Sequence, residues 1–450
     1  MRRDDLVNAV RSKLSGRSVV WAGLRGDDVE PLADLPELSG AFSIYSEYQR
    51  RGSVDGLAYE SITGVRVDPE TWDIDDHLDE SATHDFRAGL LRALARRSVL
   101  VPYRPSQFLS SILFARSDLC EPLGIAGVLQ SAFEHKPWVE TALRDVPRIP
   151  WKYIADEEQL TATTLFDGQP VVLRRSRTSG GEGLVKVDDA TELADRWAHV
   201  DEAFLAVAPF LSGTPVNIGA VVWKGGVTLH HASVQLIGIE GLVAREFGYC
   251  GNDFGAARDL PAEVVDEIEA ATRTIGEWLR GHGFLGAFGV DFLVHEGHAL
   301  FTEVNPRFQG STHASAQLDI DARESCLLLE HVAAWLGLPA PDEQRSLRGI
   351  VDSTPDFAHF IAHWHGASSR LDVSLLRDRA RALPGTVRVE LLPGSEIVCE
   401  PGSAIMRWTG RERVTGDGYA LVPRFAGVDA SLCSSSKEGL TSGHHSRQTV

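Results

Sequence analysis

The stretch FTEVNPRFQGST, residues 301–312, decides how this chain is read. It sets Glu303, Asn305 and Arg307 at alternate positions in a run that otherwise reads as a strand. A strand alternates its faces, so these three side chains point the same way. Two oxygen donors and a guanidinium on one sheet face are costly to bury unless something compensates them. Just upstream, GAFGVDFLVHEGHALFTEVN reads as a β-hairpin, with Phe288, Val290, Phe292 and Val294 on one face and Gly289, Asp291 and Leu293 on the other. A three-residue EGH connection, with Gly297 free to take a positive φ, would set Asp291 opposite Glu303 on one face. A two-residue loop would put them on opposite faces, because a one-residue slip turns every side chain over. Hard cations such as Mg²⁺ take such oxygen ligands and complete their shell with water and phosphates. The same spacing also describes a solvated strand face with an ion pair.

Working outward, the chain has 450 residues, which is too many for one core, so two or three domains are expected. A net charge of −19 makes nucleic acid a poor general partner, since phosphate contacts supply most of that affinity. No apolar run approaches a membrane span. The start, MRRDDLVNAVRSKL, reads as an amphipathic helix rather than a signal peptide. Cysteines at 120, 250, 326, 399 and 433 form no CxxC and fit reduced thiols in a cytoplasmic protein. Of 44 basic residues only six are lysine, and Lys136, Lys152 and Lys186 fall in one stretch.

Strand-like runs at 18–23 and 98–101, with the helical HDFRAGLLRALARR between them, predict an α/β unit over residues 1–130. GDDVEPLADLPELSG reads as a loop, and EHKPWVETALRDVPRIP as a short helix stopped by prolines. PVVLRRSRTSGGEGLVKV reads as strand, Gly-rich turn, strand. Further strands are expected at 203–211, 215–223 and 227–237, and an amphipathic helix at 261–283. The C-terminal part, 345–433, is expected to be a small β-rich module, and 434–450 a disordered tail. His359, His363 and His365 in HFIAHWH read as a helix surface rather than a zinc site. In SRTSGGEGLV, Ser179, Gly180, Gly181 and Gly183 allow backbone N–H groups to wrap phosphate oxygens, although the turn is neither GxxxxGK[ST] nor GxGxxG.

Taken in order, HKPW…VPRIP, PVVLR…SGGEGL, FLAVAPFLSGTPVN and GVDF…FTEVNPR resemble the ATP-grasp superfamily over about residues 120–335. The resemblance implies an α/β (α+β) ATP-grasp fold. It has a Rossmann-like pre-ATP-grasp domain (1–130), a small subdomain with the Gly-rich lid (131–205) and a large subdomain with the metal site (206–340). Lys136 and Arg174 would contact ATP phosphates, residues 178–183 would form the lid, and Ala208, Phe210 and Leu211 would wall adenine. Gln235 would supply a ribose contact. Asp291, Glu303 and Asn305 match the ligands of Mg²⁺, with Mn²⁺ as the alternative ion, and Arg307 matches the arginine that meets the reacting phosphate. Arg174 departs from the usual Lys, and Ala208 from the usual Glu of the hinge.

Such enzymes mostly activate a carboxylate as an acyl phosphate and pass it to an amine, releasing ADP and phosphate. The expected substrates are a small carboxylic acid and an amino-acid or peptide amine, in the manner of natural-product amide ligases. In AREFGYCGNDF, residues 244–254, Arg245 could hold a carboxylate, and Glu246 or Asp253 could hold an amine or act as a base; a surface loop with ion pairs is the other reading. A biotin-carboxylase-like activity is the close competitor, but Gly238, Glu240 and RFQGST stand where its cation and base belong. A non-catalytic ATP sensor is the alternative from another class. No nucleic-acid or membrane partner is expected, and the oligomeric state stays open, a homodimer included.

Overall fold

The strands of this chain, numbered along its length, fall into four sheets in a computed structural model. The structure describes residues 2–48, 54–155, 169–176, 180–188, 192, 204–381, 385–389 and 397–425. Ser179, Cys433 and the 434–450 tail lie outside the described residues.

The first sheet is parallel, in the order β3 (Asp55–Ala58), β2 (Leu38–Tyr45), β1 (Ser18–Arg25), β5 (Ser98–Pro102), β6 (Cys120–Pro122). Its central strands are near-continuous apolar runs because helices cover both faces. One such helix, Arg3–Leu14, buries Leu6, Val10 and Leu14. The segment expected as a loop after β1 is instead a 3₁₀ helix, Gly26–Leu32, with Asp27 and Asp28 buried. It is held from the far end of the chain: Asp27 pairs with Arg407 and, at 2.6 Å, with Arg388.

The second sheet is small and antiparallel, in the order β7 (Lys152–Ile154), β10 (Leu205–Pro209), β8 (Val171–Arg174), β9 (Leu184–Val187). The third is antiparallel and eight-stranded. Its order is β15 (His298–Asn305), β14 (Gly286–His295), β11 (Thr214–Trp223), β12 (Gly226–Ile237), β13 (Tyr249–Asp253), β16 (Ala358–His363), β20 (Ala404–Gly410), β18 (Thr386–Val389). Helix Ala262–Gly281 packs Val264, Ile268, Ile275 and Leu279 into the core under β11 and β14. Its spacing and its stop at Gly281 follow the sequence expectation.

The C-terminal strands do not stand apart as a module. β16, β20 and β18 extend the eight-stranded sheet, while β19 (Val398–Cys399) links β17 (Ser369–Arg370) to β4 (Val65–Arg66) in a three-stranded sheet. His359–His363 of HFIAHWH are therefore strand, not helix surface, with Trp364 and His365 following it, and every residue of β16 is buried. The end of AREFGYCGNDF is likewise strand β13, not loop. The four described cysteines, 120, 250, 326 and 399, are buried and unbridged. Among the described residues no helix is long and apolar enough to cross a membrane.

Candidate active site

The β14–β15 hairpin reaches the expected face by an unexpected route. His295 pairs with His298, so the turn is the two residues Glu296 and Gly297, with φ of 49° and 82°. That is the mirror-image turn favoured by strand twist, and it corrects the three-residue connection. Alone it would place Asp291 opposite Thr302. A β-bulge intervenes: Phe292 pairs with Phe301 but Asp291 pairs with Glu303, leaving Thr302 as the extra residue. The bulge sits where the chain at 147–149 joins the edge of β15, with Phe301 N donating to Pro147 O (2.8 Å) and Ile149 N to Phe301 O (3.3 Å). This brings helix Lys136–Ala142 to the hairpin, and Lys136 Nζ stands 2.7 Å from Glu303 Oε1.

Asp291 anchors a polar row across the sheet. Asn305 Nδ2 donates to its Oδ2 (3.0 Å), and Asn217 Nδ2 (3.3 Å), Gln309 Nε2 (3.2 Å) and Gln235 Nε2 (3.4 Å) reach its Oδ1. The row continues through Ser233 Oγ to Asn217 Oδ1 (3.1 Å), and through Asn252 to His359 Nε2 (3.1 Å). Burial, and then the Glu303 carboxylate opposite, push the Asp291 carboxyl up to about 7. A divalent cation between two such carboxylates would relieve both penalties. Two carboxylates and an amide are hard donors that fit Mg²⁺ or Mn²⁺. Among the described residues no trio of His, Cys, Asp and Glu forms a separate metal cluster.

One cavity of about 610 Å³ joins this row to the small sheet and to the N-terminal sheet. Lys136, Arg174, Asp291, Glu303, Asn305, Arg307, Gln235, Phe210, Leu211, Gly180 and Gly181 all line it. Arg174 is buried, bound to Glu140 Oε1 (2.5 Å) and lying 4.0 Å over the Trp151 ring. Lys186 Nζ stands 5.0 Å from the Phe210 ring centroid. Ala208 contributes backbone, pairing with Val172 in β10–β8. The Gly-rich turn lies down on the cavity. Gly180 and Gly181 have φ of 50° and 81°, and a Cβ on Gly181 would meet Phe247 O at 1.7 Å. Tyr249 N donates to Gly180 O (3.2 Å), so the turn is docked on β13. Gly183, with φ of 75°, closes the turn into β9.

The three substrate residues expected in 244–254 do not reach this cavity. Arg245 is tied to Asp68 (2.6 Å) and Glu246 is exposed. Asp253 is fully buried and accepts backbone N–H from Ala256 (2.9 Å), Val414 (2.6 Å) and Thr415 (3.2 Å). It pins the segment that follows β20; it does not face a ligand. From that stretch Phe247 and Tyr249 line the cavity instead.

Several site groups went unread in the sequence. Arg104 forks onto Glu134 (2.7 Å) and Asp73 (2.7 Å), and Glu134 approaches Arg307 Nε at 3.5 Å. Asn217 did carry a signal, as the lone amide in the apolar strand TPVNIGAVVW. Arg104 and Glu134 carried none.

Residues 134–311 match the family model described as ATP-grasp domain. The formate-dependent phosphoribosylglycinamide formyltransferase of Rhodococcus jostii is 26% identical over 228 residues, covering 46% of this chain and 52% of that protein. The chain thus spans about half the length of this curated relative. Among solved structures, N5-carboxyaminoimidazole synthase of Aspergillus clavatus, complexed with ADP and 5-aminoimidazole ribonucleotide, superposes with a TM-score of 0.59 at 12% identity, over 93% of this chain and 99% of that one. The biotin carboxylase domain of Hydrogenobacter thermophilus 2-oxoglutarate carboxylase, with MgADP, ADP and bicarbonate, gives 0.59 at 13% identity, over 88% and 86%. At such identities the likeness is one of fold.

Proposed function

We propose that this protein, whose residues 134–311 match the ATP-grasp domain model, is an ATP-dependent ligase that activates a carboxylate as an acyl phosphate and joins it to an amine. The observation that carries the reading is the convergence of Lys136, Arg174, Asp291, Glu303, Asn305 and Arg307 on one cavity beneath a docked Gly-rich turn. The name of the R. jostii relative, a formate-dependent formyl transfer to a glycinamide, likewise couples a carboxylate to an amine.

In this reading Lys136 and Arg174 exchange Glu303 and Glu140 for the triphosphate. A carboxylate oxygen attacks the γ-phosphorus and ADP leaves. The amine nitrogen then attacks the acyl carbon, phosphate leaves, and the amine proton is lost. Asp291, Glu303 and Asn305 would hold Mg²⁺, which when bound neutralises developing phosphate charge. Arg307 stabilises charge on the transferring phosphoryl group, and the turn at 180–183 keeps water from the acyl phosphate. An amino acid or peptide is the amine we favour.

The carboxylase alternative meets an obstacle at Gly238. Its φ is 60°, and a Cβ there would meet Glu246 O at 2.0 Å, so no side chain fits without a backbone shift.

The nucleotide product tests the mechanism. Incubation with ATP, Mg²⁺, acids and amines is expected to give ADP and phosphate, and AMP with pyrophosphate would overturn it. Lys136→Ala is expected to weaken ATP binding at least about tenfold, ~1.4 kcal/mol. Unchanged affinity by calorimetry would remove Lys136 from the phosphate site.

A further inference from the structure

The far end of the cavity lies against the N-terminal parallel sheet, at the carboxyl ends of β1, β2 and β5, where open α/β sheets bind ligands. Its lining there combines an apolar wall with a charged rim of Arg25, Glu70, Asp73 and Arg104. Leu24 and Ile44 stand half-buried at the ends of β1 and β2, with Trp72 beside them. Phe42, Phe86 and Phe108 close the wall behind and belong to one hydrophobic cluster with Ile44 and Trp72. Burying apolar surface on such a wall favours an apolar ligand group over a charged one.

A phosphate would fare badly here. The turn after β1, where a helix N-terminus could receive an anion, carries Asp27 and Asp28. The two guanidinia at this end each have a carboxylate beside them, Arg25 near Asp28 (3.6 Å) and Arg104 on Asp73 and Glu134 (both 2.7 Å), so they leave little net positive charge. A phosphate dianion placed here would face the Glu70, Asp73 and Glu134 carboxylates and an aromatic wall. The cation that a carboxylate needs, Arg307, lines the cavity with the metal-site residues.

We infer that the acid substrate carries an aromatic or branched aliphatic body, seated on Leu24, Ile44 and Trp72, and that this end takes no phosphoribosyl group. The inference rests on the ligase reading for the word acid, but the apolar seat stands independently of turnover. It also separates this chain from the relative whose printed substrate is a phosphoribosylglycinamide.

Hydroxylamine tests it without knowledge of the amine. Its nitrogen attacks the acyl carbon of the acyl phosphate, phosphate leaves, and a hydroxamate forms. With ATP and Mg²⁺, 3-phenylpropionate and 4-methylpentanoate are expected to give hydroxamate with a kcat/KM at least about tenfold above formate or glycine, the discrimination an apolar pocket supplies. Ile44→Asp should abolish that preference, and the milder Ile44→Ala and Trp72→Ala should raise the KM for 3-phenylpropionate, with ATP affinity as the control for folding. In parallel, 3-phenylpropionate is titrated calorimetrically into protein holding a non-hydrolysable ATP analogue. Binding that Ile44→Asp abolishes, with no hydroxamate from any acid, upholds the apolar seat and sinks the ligase reading. Hydroxamate from formate or glycine at the higher rate, indifferent to Ile44→Asp, overturns the seat and leaves the ligase reading intact. Absence of 3-phenylpropionate binding, with no hydroxamate from either apolar acid, also overturns it.

Discussion

Replacing Glu303 by Gln is expected to lower kcat by about 10²–10³-fold, because it takes one charged ligand from the ion that would offset transition-state charge. Gln keeps the shape and deletes the charge, so the loss reports electrostatics rather than packing. The fold should survive. Glu303 is 28% exposed and its described ion pair is the one to Lys136. Losing that charge-assisted bond costs about 1–3 kcal/mol, below the stability of an ordinary domain. Asp291→Asn should be as inactive, yet at least as stable at pH 8 without added metal. The Asp291 carboxyl is raised above its ordinary value, so its ionised form opposes folding at that pH, and an amide still accepts from Asn217 and Gln309. Circular dichroism melting beside steady-state kinetics checks both. Full activity of Glu303→Gln at saturating ATP and Mg²⁺ would remove the carboxylate pair from the chemistry.

Why this pair was legible in the sequence while its surroundings were not has a physical answer. Period-two spacing fixes a face, so Glu303, Asn305 and Arg307 declared their side of the strand from local sequence alone. Whether Asp291 joins them depends on a single extra residue, and Thr302 looks like any strand threonine. The bulge sits where the 147–149 edge joins β15, a contact between residues about 150 positions apart that local sequence does not show. Asp27 with Arg407 and Arg104 with Glu134 are pairings of the same kind, visible only once sheets are stacked. HFIAHWH failed for a different reason: in so short an apolar run, strand and helix periods are not distinguishable. Asp253 read as a ligand because charge in a polar stretch looks available; its three backbone donors come from residues 256, 414 and 415.

Asp319→Ala should be the most destabilising single change outside the cavity. Asp319 is fully enclosed between two histidines, its Oδ2 3.1 Å from His230 Nδ1 and its Oδ1 3.2 Å from His231 Nε2. His230 also faces Glu330 Oε2 at 3.4 Å, and Glu330 accepts from Thr228 (2.6 Å) and Ser325 (2.5 Å). The cluster ties β12 to helices Thr312–Asp321 and Leu327–Trp335, and so holds the sheet that carries Asp291. Removing one partner of a buried charge group costs about 3–5 kcal/mol, because the remaining charge is left without compensation. The pH dependence follows with its sign. Burial alone would lower the His230 pKa, but Glu330 and Asp319 outweigh it and raise it from 6.5 to about 10. The folded state therefore holds a proton that the unfolded chain releases near 6.5. Its contribution is complete below that pH and falls as pH climbs towards 10, by up to ~1.4 kcal/mol per unit. Asp319 runs the other way: despite burial, His231 and His230 lower its pKa, so its contribution is lost as pH falls below the ordinary carboxylate range. Wild-type stability from urea melts should decline between pH 7 and 10, and His230→Gln should flatten that limb. A wild-type limb that stays flat over this range would mean that His230 is neutral in the folded protein, and the cluster would then hold β12 by hydrogen bonds rather than by charge.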